Sequence, residues 1–298
     1  MNLKHRILAL VLALVLSVGL CASALAVDAG ETRVTIGADL TNEQIDEVYR
    51  IFGVNRGDVE ELIVTNADER QYLGGLVSDA AIGTRAISCV YLEVLGSGNH
   101  ITVKTENITY CTASMYISAL ATAGITDAKV IVAAPFEVSG TAALTGIYKA
   151  YEIITGEPLD EEAKEAGTQE LAVTSELAQE IGDADSVQIV NDLKLILDET
   201  VKMSDDELRA QIIEIAANYD VTLTDAQINQ LMSLVRSLEK LDTAALLEKV
   251  RAVQDTLKKF LSMKDKMSGF TGAVQSFFEK VGETAVNVWN YIVSLFKK

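Results

Sequence analysis

The chain has 298 residues, of which 49% are hydrophobic, with 25 basic against 43 acidic side chains and a formal net charge of −18. That length suffices for one large domain or two modest ones with a real hydrophobic core, so no disulfide staple is required. The acidic balance argues against nucleic acid as a partner, because such binding depends on clustered Lys and Arg neutralising phosphates.

The chain opens with Lys4, His5 and Arg6, continues with an apolar run from Ile7 to Leu16, and reaches Ala24-Leu25-Ala26. This is the pattern of a secretory signal peptide spanning residues 1–26, with cleavage expected after Ala26. A membrane span needs about 20 predominantly apolar residues, whereas the apolar core here is concentrated in the first half of the stretch. Cys21 follows Leu20 rather than a small residue, which speaks against a lipid-modified cysteine and leaves Cys21 with the discarded peptide. Loss of Lys4 and Arg6 would leave 23 basic against 43 acidic residues, a formal charge of −20. Residues 27–248 hold 14 basic and 39 acidic side chains, and residues 249–298 hold nine and four, so an acidic body carries a basic end.

Residues 27–157 mix strand and helix signals. Arg33 to Ile36 and Val59 to Val64 read as strands, and between them Thr41-Asn42-Glu43-Gln44 has capping-box spacing ahead of Ile45, Val48, Tyr49 and Phe52, a helix expected to stop at Gly53. Ala86 to Leu95 and Ile101 to Thr105 are apolar, β-branched runs around Gly96-Ser97-Gly98-Asn99, which predicts a hairpin. Thr112 to Ala123 reads as a helix, Ala128 to Ala134 as a strand ended by Pro135, and Thr141 to Ile154 as a helix left at Gly156. The order predicts an α+β fold, an N-terminal mixed α/β domain with a small sheet followed by an all-helical C-terminal region.

Residues 158–268 carry no convincing strand. Glu161 to Ile181 and Val187 to Met203 have helical periodicity, Ser204-Asp205-Asp206-Glu207 opens a helix with a second capping box, and Thr224 opens another. Leu246, Leu247, Val250, Val253, Leu257, Phe260 and Leu261 mark a long amphipathic helix. Residues 269–298 predict a last one, in which Phe270, Phe277, Phe278, Trp289 and Phe296 share one face and Lys297 and Lys298 end the chain. An aromatic stripe with a cationic end is shared with helices that lie on membranes or anionic polymers, although a stripe of this spacing is more often packed against a neighbouring helix.

No catalytic, cofactor-binding or metal-binding motif emerges. His100 is the one histidine beyond the signal segment and flanks the predicted turn, and there is no GxSxG nucleophile elbow. Gly96-Ser97-Gly98 is followed by a strand rather than the helix a dinucleotide site requires, and no GxxxxGK[ST] loop exists. Ser139-Gly140-Thr141 at a helix start reads as a cap rather than an anion cradle, and Asp183-Ala184-Asp185 lacks the further carboxylates of a calcium loop. Tyr91, Tyr110, Tyr116, Tyr148 and Tyr151 read as core and rim packing more readily than as a binding surface. Cys89 and Cys111 are the two thiols left after processing. In an oxidising compartment they could form a disulfide, with two buried free thiols as the alternative.

The segments Gly83-Thr84-Arg85-Ala86-Ile87-Ser88, Gly96-Ser97-Gly98, Asn107-Ile108-Thr109, Ala119 to Ile125 and Gly140 to Glu152, in that order, resemble the YpuA-like family of secreted proteins from Gram-positive bacteria, whose domain is of unknown function. The resemblance runs from about Val34 to about Leu261 and implies an extracytoplasmic bacterial setting; it implies no activity. Two functions stay in play. One is a cell-envelope-associated binding or structural protein contacting a cell-wall polymer or an anionic membrane surface. The other is a secreted hydrolase using carboxylates on such a polymer.

Overall fold

The computed structural model describes the backbone of residues 30–281 and the side chains up to residue 262. The expected signal segment 1–26 and residues 282–298 lie outside the described residues. Five strands form one mixed sheet: β1 (Thr32–Gly37), β2 (Glu61–Val64), β3 (Cys89–Val94), β4 (Thr102–Ile108) and β5 (Ala128–Val138). Among the described residues eleven helices surround it: α1 (Asn42–Phe52), α2 (Asn66–Leu73), α3 (Asp79–Ile82), α4 (Ala113–Thr122), α5 (Thr141–Thr155), α6 (Glu161–Ile181), α7 (Asp183–Leu195), α8 (Leu197–Thr200), α9 (Asp205–Ala217), α10 (Asp225–Leu238) and α11 (Thr243–Val281). The fold is α+β, with an α/β portion followed by a helical one.

The strand order is β2-β1-β3-β5-β4. β1 runs parallel to β2, and β4 parallel to β5, while β3 is antiparallel to both of its neighbours. The hairpin predicted from Gly96 to Asn99 is therefore corrected: β5 lies between β3 and β4. The reason is visible in the side chains. β5 carries the continuous apolar run Val130-Ile131-Val132-Ala133-Ala134, which suits a strand flanked on both sides. β4 alternates, with Lys104 exposed and Val103 buried, as befits an edge. A second correction concerns Pro135, which does not end β5. The register between β4 and β5 shifts between Glu106 and Ile108, Asn107 takes φ 60° and donates from Nδ2 to the Ala134 carbonyl at 2.8 Å, and the strand continues past the proline to Val138.

Helix α1 covers one face of the sheet, burying Ile45, Val48, Tyr49 and Phe52 against Val34, Ile36, Cys89 and Tyr91. Its start has the predicted box, Thr41 and Gln44 capping each other, and its end is Gly53 at φ 74°. The other face holds the main core, Val90, Leu92, Val130 and Val132 against Tyr116, Leu120, Leu144 and Ile147 of α4 and α5. Gly146 lets α5 lie directly on β1, since a Cβ there would collide with the Thr35 hydroxyl. The helical portion has its own core of Leu193, Leu208, Ile212, Leu231, Leu234 and Leu238. It is not separate from the first, because Leu171, Val187, Val253, Leu257 and Leu261 join the sheet-side core.

The helix expected over Val187 to Met203 begins earlier, at Asp183, and breaks at Ile196 before the short α8. α11 continues without a break through residue 268, where a new segment was expected to begin.

Candidate functional site

Of the two states left open for Cys89 and Cys111, the structure has the free one: both thiols are unpaired and buried. Side chains alternate across a strand, so Cys89 points under α1 with Tyr91, whereas Cys111 lies in the core on the opposite face. Each sulfur has its own polar neighbour. Gly37 N donates to Cys89 Sγ at 3.4 Å, and Ser175 Oγ donates to Cys111 Sγ at 3.8 Å. Burial pushes each thiol up to about 12, which makes both poor nucleophiles. Phe270, Phe277 and Phe278 fall on the last part of α11, whose side chains lie outside the described residues, as do Trp289, Phe296, Lys297 and Lys298 entirely. His100 is exposed at φ 60° beside the turn, its backbone N–H donating to Asp127. Tyr91, Tyr116 and Tyr148 are buried, and Tyr110 and Tyr151 are half-buried against the core.

Chemistry gathers elsewhere, at one edge of the sheet. β1, β2, β4 and β5 all run toward that edge, so their carboxyl ends and the starts of α1, α2, α4 and α5 meet there; in open α/β sheets ligands bind outside such ends. A cleft of about 370 Å³ opens at this edge. One wall is Gly83 to Arg85 with Ile87 and Ser88, the approach to β3; the other is Phe136 to Ala142, the passage from β5 into α5; Glu69 of α2 lines it as well.

The first wall is held on both flanks. Arg70 donates from Nη2 to the Gly83 carbonyl at 2.7 Å, and Asp39 Oδ2 accepts from Ala86 N at 2.8 Å. Ser88 is 4% exposed and on the same face as Val90, toward α5, yet its hydroxyl has no hydrogen-bond partner among the described residues. Arg85 is exposed at the rim. Of the arginines in residues 30–157, Arg33, Arg50, Arg56 and Arg70 pair with carboxylates, and Arg85 pairs with none.

The second wall begins α5 without a conventional cap. Gly140 sits at φ 96° as the N-cap, with no side chain bonding the first-turn N–H groups. The reading of Ser139-Gly140-Thr141 as a cap agrees with Gly140 as the N-cap, although no side chain takes part in it. Only glycine fits, since a Cβ would stand 2.5 Å from Ile108 Cγ2, and Tyr116 Oη donates to the Gly140 carbonyl at 2.5 Å. Thr141 instead donates from Oγ1 to Glu69 Oε1 at 2.6 Å, and Ser139 Oγ lies 3.1 Å from Thr141 Oγ1. Glu69 is 1% exposed, and burial raises its carboxyl above the ordinary range despite the hydrogen bonds from Thr141 and Asn66.

Two other polar features are committed internally. Lys194 and Glu170, each 1% exposed, form an ion pair of 2.7 Å, and Ser118 and Thr122 hydroxyls each donate to the Glu170 carboxylate at 2.5 Å. Lys194 also donates to Ser118 Oγ at 2.9 Å, but that serine faces no solvent and its lysine is paired, so the arrangement is a strut and not a nucleophile with its base. A wider cleft of about 670 Å³ between α2, α6 and α10 has Lys164 in its wall, already paired with Glu152 and Glu161 at 2.8 Å each and 5.5 Å from the Tyr72 ring. Among the described residues no group of His, Cys, Asp and Glu could hold a metal ion, and no helix is long and apolar enough to cross a membrane.

Sequence reasoning missed Glu69, Ser88, Arg85 and Phe136 as a set. Their signal was faint: the run Gly83 to Ser88 and the run from Gly140 into α5 carry the family resemblance, and folding brings both to this cleft. The family model described as protein of unknown function (DUF1002) matches residues 36–260. The uncharacterized protein YpuA of Bacillus subtilis (strain 168) is 37% identical over 271 residues, covering 90% of each chain. No solved structure matches.

Proposed function

The chain belongs to the DUF1002 family, whose function is unknown, and from that premise we propose an exported, cell-envelope-associated binding protein whose ligand seat is the cleft at the carboxyl edge of the sheet. The observation that carries this reading is Ser88, a residue only 4% exposed whose hydroxyl is not sealed in the core and has no partner among the described residues, lining with the unpaired guanidinium of Arg85 the same 370 Å³ cleft. A hydroxyl on an otherwise buried residue that no described group engages and that opens onto a cleft is a polar group placed to fix the orientation of a ligand. Export rests on Lys4 to Ala26, and contact with an anionic envelope surface rests on the basic residues 249–298.

The test is thermal denaturation of protein beginning at Val27 with purified wall polymers. Under this reading a polymer raises Tm, and Ser88→Ala with Arg85→Ala removes the rise while leaving the unliganded Tm nearly unchanged. Recovery of the protein from cells with Met1 still attached would count against export. A chain ending at Met267 should keep its fold and lose co-sedimentation with anionic vesicles or wall fragments.

The hydrolase reading retains one supporting observation: Glu69, a buried carboxyl held above the ordinary range, and Glu137 line the same cleft. Two carboxyl groups with different environments suit acid/base cleavage of glycosides. Release of reducing ends from the stabilising polymer, abolished in Glu69→Gln, would put this reading first.

A further inference from the structure

The proposed seat also has a chemical selectivity, and the inference here rests on that reading. We propose that the cleft takes a sugar bearing a carboxylate: the ring lies on Phe136, its hydroxyls reach Ser88 and Glu69, and its acid group is held by Arg85 and the first turn of α5.

Three observations converge on that class. Phe136 is 39% exposed on the cleft wall, although it belongs to a strand whose neighbours Val132 to Ala134 are buried. An aromatic face left open beside polar groups suits the apolar face of a pyranose, which hydrogen-bonds at its edges and is flat on its C–H side. Next, the cleft offers both acceptor and donor capacity at depth. The Ser88 hydroxyl is open, and the Glu69 carboxyl, held in place by Thr141 and Asn66, retains further acceptor capacity at one oxygen.

The third observation concerns charge. The molecule as a whole is strongly acidic, which repels anions at long range, so a site for an anionic group needs local positive potential. Here it comes from an unpaired Arg85 together with the uncapped start of α5, a helix of 15 residues with its positive end at the cleft. The helix start would not point to a ligand by itself. It does so beside Ser88, 96% buried and without a partner. Glu69 is close to that same helix start, and burial drives its carboxyl toward the neutral form, which lessens its repulsion of a second acid group.

Isothermal titration of the chain beginning at Val27 tests this with a matched pair. The probes are the disaccharide of N-acetylglucosamine and N-acetylmuramic acid, and chitobiose, which lacks the lactyl carboxylate. The acidic disaccharide should bind about tenfold more tightly, the factor one charge-assisted hydrogen bond supplies, and added salt should narrow the gap. Arg85→Ala should abolish the preference and spare chitobiose binding, while Phe136→Ala should weaken both sugars. Arg85 and Phe136 are exposed, so neither variant is expected to unfold, and circular dichroism verifies it. Equal affinity for the two sugars, with wall-polymer stabilisation still lost in Ser88→Ala, overturns the carboxylate selectivity and keeps the seat. Wall-polymer stabilisation that survives both Ser88→Ala and Arg85→Ala overturns the seat itself. Absence of binding by either sugar overturns the sugar assignment.

Discussion

Glu69 and its neighbour Asp68 titrate in opposite directions, a consequence of two side chains a residue apart on one short helix. Asp68 accepts from Lys149 and Thr65, which lower its carboxyl to about 2 from an ordinary 3.8. It contributes stability above the unfolded value, lost as pH falls from about 4 toward 2. Glu69 is raised by burial from an ordinary 4.5, so its contribution is fullest below that value and declines as pH climbs toward the folded one. Glu69→Gln should therefore match the wild type near pH 4 and melt higher at pH 7; equal Tm at both pH values would refute the assignment. The thiols give a second check at this scale. Denatured, unreduced protein lacking residues 1–26 should bind two equivalents of iodoacetamide, one each at Cys89 and Cys111, as their positions on opposite faces of the sheet require. The two cysteines were visible in the sequence, but their separation was not, because it depends on which face of β3 each neighbouring element covers.

Helix starts were the best-read elements, since capping is local chemistry. Thr41 with Gln44, Ser204 with Glu207 and Thr224 with Gln227 all form reciprocal boxes at the positions their spacing predicts. Replacing Ser204 with Ala should cost about 1 kcal/mol in urea denaturation, the usual worth of such a cap. The start of α5 obeys a different rule. Gly140 is in the left-handed region and closely packed, 2.5 Å from Ile108 Cγ2 and 2.9 Å from Tyr116 Oη by where a Cβ would fall. Gly140→Ala should therefore destabilise by about 1–3 kcal/mol, read as a lower denaturation midpoint with an unchanged slope. Serine-glycine-threonine before a helix looks like a cap in sequence, and Gly140 is one; that no side chain bonds the first turn is decided by tertiary neighbours, Glu69 taking the Thr141 hydroxyl and Ile108 and Tyr116 closing on Gly140. The strands were located well and paired wrongly, because a glycine turn marks a reversal of the chain and does not specify which strand fills the adjacent position.

At the scale of the molecule, the two portions are joined through Lys194 and Glu170, where α7 and α6 meet α4. Close approach there requires Gly167, whose Cβ would lie 2.7 Å from the Ala119 carbonyl. Breaking a buried pair strands the remaining charge, so Lys194→Met should cost about 3–5 kcal/mol, and adding Glu170→Met should recover much of the loss. A double variant no better than the single one would show that the pair acts through packing alone. This junction was not legible in advance, since Lys194 reads as one more polar position on an amphipathic helix and Glu170 as one of 43 carboxylates. Composition, capping and periodicity are properties of neighbouring residues, so the α+β class, the order of α/β and helical portions and the longer helices follow from the chain alone, whereas the short helices α2, α3 and α8 do not. The central place of β5, the burial of Lys194 with Glu170, and the meeting of Arg85, Ser88, Glu69 and Phe136 at one cleft join residues far apart in the chain, and only tertiary packing, which selects among many compatible pairings, decides them.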